Sequence, residues 1–337
     1  TSHTPAIIKR IEPKSIRHFR MCKNQMCTKV KKITLPEAKG NAEIEATYKY
    51  VKEAVQAYPE IYFSRLTVLG EGDSEEIILP KIIELLGNNI DSCGISIVPL
   101  GGRHVNHFWR LLNDLEIPFI TLLDLDRERF GGGWSRIKYV KNQLIEIGED
   151  KKVLLALKDG EVLSEDDLED MHNWDDTNVK NMNDRIEHLE NYNVFFSCPL
   201  DLDFMMLECY ESFYKSVLSD NEGPYITGKG KIIDIEKGNS GLSEYKARIE
   251  NDIKATLKSE GGDSSTYSEK QKALMVWYNY FFLNRGKPST HRLALSLIRK
   301  DEMKKGLPKP LKRLVKAVED ALKDDPYSIV GEMNENK

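Results

Sequence analysis

Three short, almost uninterrupted apolar runs set the tightest limit on the fold: Leu66-Thr67-Val68-Leu69, Ile95 to Leu100, and Pro118 to Leu123. Each is too short for a buried helix and lacks the alternation of a half-exposed strand. Each therefore reads as a strand covered on both faces. A helical period through Ile77, Ile78, Ile82, Leu85 and Leu86 separates the first two runs, and another through Phe108, Leu111 and Leu112 separates the next pair. Strands alternating with helices imply an α/β fold, a parallel sheet flanked by helices. Val194-Phe195-Phe196-Ser197 adds a further strand, and Pro80 is expected to kink the first helix or limit its first turn.

Outside this core the pattern changes. Residues 6 to 34 suit a hairpin, with Ile16 to Arg20 and Thr28 to Ile33 around Lys23-Asn24-Gln25. Residues 41 to 56 carry Ile44, Tyr48, Val51 and Val55 at helical steps, ended by Pro59. Residues 161 to 176 hold eight acids and no Lys or Arg, which suits a solvated face or loop. After residue 204 the chain turns helical, over Phe204–Leu218, Glu244–Leu257, Lys270–Phe282, Thr290–Lys300 and Leu311–Leu322, with loops at 219–243 and 258–268.

Composition narrows the function. With 40% hydrophobic and 31% charged residues the chain is globular, and 49 basic against 54 acidic residues (net −5) exclude a wholesale basic coat. Nucleic-acid contact must then be a local patch or run through metal ions held by carboxylates. No apolar run approaches the ~20 residues of a membrane span. Five cysteines, an odd count, point to a reducing cytoplasm and not to a disulfide scaffold. Thr1-Ser2-His3-Thr4-Pro5 reads as the interior of a longer protein.

Acids stand at the strand ends. Glu71 follows the first strand directly, Glu75 comes one helical turn later, and Asp124 and Asp126 close the third. In open α/β sheets ligands bind beyond the carboxyl ends of the strands. Gathered like charges need a cation, and an all-oxygen set suits Mg²⁺ or Mn²⁺. The structural alternative makes these acids helix caps and solvating groups, which suits Glu75 best.

Other motifs carry less. Gly70-Glu71-Gly72 mimics a dinucleotide fingerprint, but Glu75 stands at its third glycine position and would repel a pyrophosphate. Gly223 to Lys229 resembles a phosphate loop, yet Gly230 replaces its Ser/Thr and no strand precedes it. Cys22, Cys27 and His18 lack a fourth zinc ligand. His104 and His107 read as capping or surface residues.

Four stretches together resemble the Toprim region of the OLD (overcoming lysogenization defect) endonuclease family. They are Tyr58 to Glu75, Pro99-Leu100-Gly101-Gly102, Pro118 to Asp126, and Arg285-Gly286-Lys287-Pro288. Residues 1–5 also resemble the switch-histidine segment that ends an ABC-type ATPase domain. The resemblance implies a Rossmann-like Toprim fold with a helical insertion and a helical C-terminal part. It divides the chain into an ATPase remnant (1–36), a linker helix (37–60), a Toprim core (61–203, insertion 130–192) and a helical completion (204–337).

The same resemblance implies a divalent-metal-dependent DNA endonuclease, in anti-phage defence of the Gabija type. Its partners would be DNA, further copies of itself and a helicase-like protein, with ATP bound only by the missing ATPase part. By motif, Glu71 and Glu75 help hold one Mg²⁺ or Mn²⁺, while Asp124 and Asp126 bridge or hold a second. A further family acid falls on Asp201 or Asp203, and Lys287 matches the late lysine that steadies the phosphorane. Gly70 departs from the usual apolar residue and is expected to loosen its turn. Basic residues from Lys304 to Lys316 would track DNA or simply face solvent. A primase- or topoisomerase-like Toprim enzyme and a non-catalytic DNA-binding or assembly fragment are the competing readings.

Overall fold

The structure is a computed structural model that describes residues 4–21, 27–33, 52, 56–85, 87, 89–101, 105–156, 162–226, 230–232, 242–258 and 261–323. Two compact units divide it. The first comprises residues 1–122, 146–148 and 312–337, and the second residues 123–145 and 149–311. The helix expected over 41–56 falls almost wholly outside the described residues, as do Cys22 and His104.

In the first unit, β1 (Arg17–Met21) and β2 (Thr28–Lys32) form the expected antiparallel hairpin, with Phe19 opposite Val30. β3 (Leu66–Gly70) is buried at every position, as a strand covered on both faces must be. It pairs in parallel with β4 (Ile95–Pro99), and on its other side Thr67, Val68 and Leu69 face Phe119, Ile120 and Thr121 of β5 (Phe119–Asp124). β6 (Val194–Ser197), which belongs to the second unit, is the fourth strand of a sheet of order β4-β3-β5-β6. Helix α1 (Asp73–Leu85) runs unbroken through Pro80 and buries Ile78, Leu79, Ile82 and Ile83 completely. Helix α2 (Val105–Asp114) anchors Trp109, whose indole N–H donates to the Thr121 hydroxyl at 2.8 Å. It also buries His107, so that histidine is a core residue and not a surface one.

The second unit is largely helical. The polar insertion is folded: α3 (Trp134–Glu146) and α4 (Val179–Leu189) bury Ile137, Val140, Leu144, Met182 and Leu189. Part of its acidic run forms a short helix, Glu165–Asp170, closed by a capping box in which Ser164 and Asp167 exchange hydrogen bonds. Then come α5 (Leu202–Ser216), a small hairpin of β7 (Tyr225–Ile226) with β8 (Gly230–Lys231), α6 (Leu242–Thr256) and α7 (Glu269–Tyr278). A π-helical turn (Asn279–Arg285) leads into α8 (Lys287–Leu297). A short helix, Lys300–Gly306, was not expected; α9 (Lys309–Lys323) was, and from residue 312 on it belongs to the first unit. On α9, Leu311, Leu314, Val315 and Val318 are buried while Lys309, Lys312 and Lys316 are not, so its basic residues line the solvated side. Among the described residues no helix is long and apolar enough to cross a membrane.

Candidate functional site

The acids read from the sequence fall in both units: Glu71 and Glu75 in the first, Asp124, Asp126, Asp201 and Asp203 with Lys287 in the second. Glu71 lies half-buried directly after β3. Glu75 is buried, and its Oε2 accepts the Gly72 N–H at 2.9 Å. With α1 beginning at Asp73, Glu75 is the third-position acid that reaches back to the residue before the helix, a capping arrangement. This explains Gly70. A Cβ there would stand 2.4 Å from the Glu75 Cβ, so the glycine permits close packing and does not loosen the turn.

In the second unit the end of β5 is fixed by hydrogen bonds. Asp124 Oδ1 accepts the Ser197 hydroxyl at 2.6 Å and the Leu202 N–H at 3.1 Å. The chain then runs beside residues 197–200, with Leu125, Asp126 and Arg127 N–H groups donating to the carbonyls of Ser197, Leu200 and Pro199. Asp126 and Glu128 adopt left-handed backbone (φ 51° and 63°), a conformation that costs energy without glycine. The surroundings hold it in place: the Glu128 carboxylate accepts the Ser264 N–H at 2.5 Å and the Thr266 N–H at 2.9 Å. A Cβ at Gly132 would lie 1.9 Å from the Asp126 carbonyl oxygen.

Two ion-pair knots follow. In the first, Arg129 Nη1 lies 2.6 Å from Asp126 Oδ1 and 3.1 Å from Asp201 Oδ2, and Arg136 Nη2 lies 3.3 Å from Asp126 Oδ2. The Tyr278 hydroxyl donates to Asp201 Oδ2 at 2.5 Å and accepts from Arg129 Nη2 at 3.0 Å. Asp201 Oδ1 caps α5 by accepting the Phe204 N–H at 2.9 Å. In the second knot, Asp203 Oδ2 meets Lys287 Nζ at 2.5 Å and Oδ1 meets His291 Nε2 at 2.8 Å. The Tyr214 hydroxyl lies 2.7 Å from His291 Nδ1.

The two knots treat their acids oppositely. Burial, reinforced by the Asp203 charge, pushes the Asp201 carboxyl above its ordinary value. Burial acts on Asp203 in the same direction, but the His291 hydrogen bond and the charges of His291 and Lys287 outweigh it and hold Asp203 well below. Lys287 is held above the ordinary lysine value, because the Asp203 and Asp201 charges overcome its desolvation.

These contacts decide which acids suit a hard divalent cation. Asp126, Asp201 and Asp203 are matched by Arg129, Arg136 and Lys287 and do not offer it open oxygens. Asp124 fits better, because a hydroxyl and a backbone N–H orient one of its oxygens, as outer partners of a metal ligand do. Among the described residues, no group of three or more His, Cys, Asp or Glu is placed to hold a metal ion. Sequence reasoning missed Arg129, Arg136, Tyr278, Ser197, Tyr214 and His291. Only His291 left a signal, four residues after Lys287 and so on the same helix face.

Comparison with known proteins finds one family model that matches part of the chain. Residues 62–126 match the family model of the overcoming lysogenization defect protein-like TOPRIM domain, a span that contains Glu71, Glu75, Asp124 and Asp126 but not Asp201, Asp203 or Lys287. No curated protein matches the chain in sequence. Among solved structures, the C-terminal region of the Burkholderia pseudomallei OLD protein is 17% identical, with a TM-score of 0.42 over 77% of this chain and 99% of that one. The corresponding region from Xanthomonas campestris pv. campestris is 18% identical, with a TM-score of 0.40 over 77% and 97%. Likeness at that level does not place individual residues.

Proposed function

With residues 62–126 an OLD-like Toprim domain, we propose that the chain is a divalent-metal-dependent DNA endonuclease. The observation that carries this reading is the position of two acids inside the matched span. Glu71 directly follows β3 and Asp124 ends β5, so each acid stands at the carboxyl end of a parallel strand, where such sheets bind ligands. Glu71 and Asp124 are the first candidates to hold the ion or ions, with Glu75, Asp126, Asp201 and Asp203 as further ones. Bound Mg²⁺ or Mn²⁺ would supply a deprotonated water and charge stabilisation at the leaving oxygen.

The chain's own groups do the rest. Ser197 and the Leu202 N–H keep the Asp124 carboxylate from rotating. Lys287, its side chain 42% exposed and anchored on Asp203, presents a fixed cation to a phosphate whose charge grows during attack. The test is cleavage of supercoiled plasmid by the full chain in Mn²⁺. Glu71→Ala and Asp124→Ala should each cut at least ~100-fold more slowly, the several kcal/mol that metal-held charge stabilisation provides. Variants that cut like wild type would overturn the proposal. A role in anti-phage defence, as a homo-oligomer with an ATPase module and a helicase-like partner, extends it; cells carrying the wild-type gene should then plate phage less efficiently than cells carrying Asp124→Ala.

A second reading draws on the ion pairs. With Asp126, Asp201 and Asp203 already matched by cations of the chain, the protein would bind DNA or assemble without turnover until an ATPase module or partner is supplied. Calorimetric Mn²⁺ binding with no cleavage, followed by cleavage on adding that component, would favour it.

A further inference from the structure

Four side chains of the second unit form a single file: Tyr214, His291, Asp203 and Lys287. The first three are buried, with His291 and Tyr214 0% exposed and Asp203 2%. Only Lys287 reaches solvent. A file of buried polar groups that ends on one accessible cation fixes the position of that cation.

Lys287 needs fixing. It is the first residue of α8, where the helix field is positive and disfavours an ammonium group. Its four-carbon stem would otherwise let Nζ wander. Asp203 supplies the countercharge through Oδ2, but a carboxylate gripped by one oxygen can still turn about its Cβ–Cγ bond. His291 grips the other oxygen. Because His291 lies one turn beyond Lys287 on α8, the two oxygens of one carboxylate bind two residues whose spacing the helix sets.

His291 is itself held on several sides. Its ring stacks on Phe282 (centroids 4.9 Å apart, planes at 20°) and meets Tyr214 edge-on (5.7 Å, 88°). Nε2 lies 2.8 Å from Asp203 Oδ1 and Nδ1 lies 2.7 Å from the Tyr214 hydroxyl, so both ring nitrogens are engaged. We propose that His291 is a positioning residue that, through Asp203, fixes the Lys287 ammonium group at the place where a phosphate is attacked. The role of Lys287 in cleavage rests on the nuclease reading; the clamp itself does not.

The experiment uses the full chain and two readouts. The first is the acylation rate of Lys287 by a water-soluble N-hydroxysuccinimide ester, mapped by mass spectrometry against exposed Lys304, with no DNA present. The second is kcat and KM for plasmid cleavage in Mn²⁺. His291→Phe keeps the stacked ring but removes both hydrogen bonds. His291→Gln places an amide N–H close to where Nε2–H was. Lys287 should acylate about tenfold faster in His291→Phe, and kcat should fall about 10- to 100-fold with KM unchanged, the range seen when outer-shell partners are lost. Both should return toward wild type in His291→Gln.

Equal Lys287 acylation in wild type and folded His291→Phe would overturn the clamp, and so would a His291→Gln variant as impaired as His291→Phe. If His291→Phe does not fold, Tyr214→Phe removes only the outer hydroxyl. It should speed Lys287 acylation about twofold, the smaller step expected for one neutral hydrogen bond, and no change there would equally overturn the clamp. A wild-type chain inert on DNA, with Lys287 protected by His291 as described, would overturn the nuclease reading and leave the clamp standing.

Discussion

Asp201 and Asp203 stand two residues apart at the start of α5, both almost fully buried, yet they sit in opposite electrostatic settings. Asp201 shares Arg129 with Asp126 and takes its remaining bonds from a phenol and a backbone N–H. Asp203 has a lysine on one oxygen and a histidine on the other. The comparison shows that burial alone does not set a carboxylate's charge state. What matters is whether a cation is dedicated to the acid or divided between two.

The sharpest way to break the comparison is to remove the better-served acid. Asp203→Ala would leave His291 and Lys287 without their shared acceptor. It should cost about 3–5 kcal/mol in urea unfolding, the range for breaking a buried pair. A loss under about 1 kcal/mol would show that water already serves those groups.

A smaller effect should come from a buried charge with no ion-pair partner among the described residues. Lys141 is completely buried, donates to the Leu154 carbonyl at 2.8 Å, and is pushed down to about 8 by desolvation and then by the Arg185 charge. Its folded value lies below its unfolded one, so stability rises as pH climbs from about 8 toward 10.5 and the unfolded lysine alone keeps its proton. Lys141→Met should therefore stabilise the protein by about 1–2 kcal/mol at pH 7 and lose that advantage by about pH 10. Unfolding curves at the two pH values decide it, and destabilisation at pH 7 would show that the carbonyl bond outweighs the desolvation.

The finest test is a pair of slopes. Asp203, held low, contributes stability that is present above the ordinary carboxylate value of 3.8 and is lost as pH falls toward its folded value. Asp201, held high, does the reverse: its contribution grows as pH falls through its folded value toward 3.8 and is lost as pH rises. Relative to wild type, Asp203→Asn should therefore be most damaging near pH 7 and Asp201→Asn most damaging near pH 4. The two profiles should therefore run in opposite directions between those pH values. Parallel slopes would mean that the two acids titrate as one unit.

The four-stranded sheet was legible because burial on both faces leaves a local mark. Leu66–Leu69, Ile95–Leu100, Pro118–Leu123 and Val194–Ser197 need no distant partner to be read as strands. The acids at their ends were legible for the same reason, since a charge directly after an apolar run marks where the chain leaves the core. The insertion at 130–192 was harder to read, because its helices bury one narrow stripe each and present polar residues elsewhere. The Ser164–Asp167 cap was nonetheless available in the text.

The sequence by itself determined the strands and the acids that follow them, because each depends on residues within a few places of it. Only the tertiary structure decided what Asp201 and Asp203 are, since Tyr278, His291 and Lys287 arrive from helices more than seventy residues further along. A carboxylate's charge answers to whatever lies within a few ångströms in space, and spacing along the chain carries no record of that.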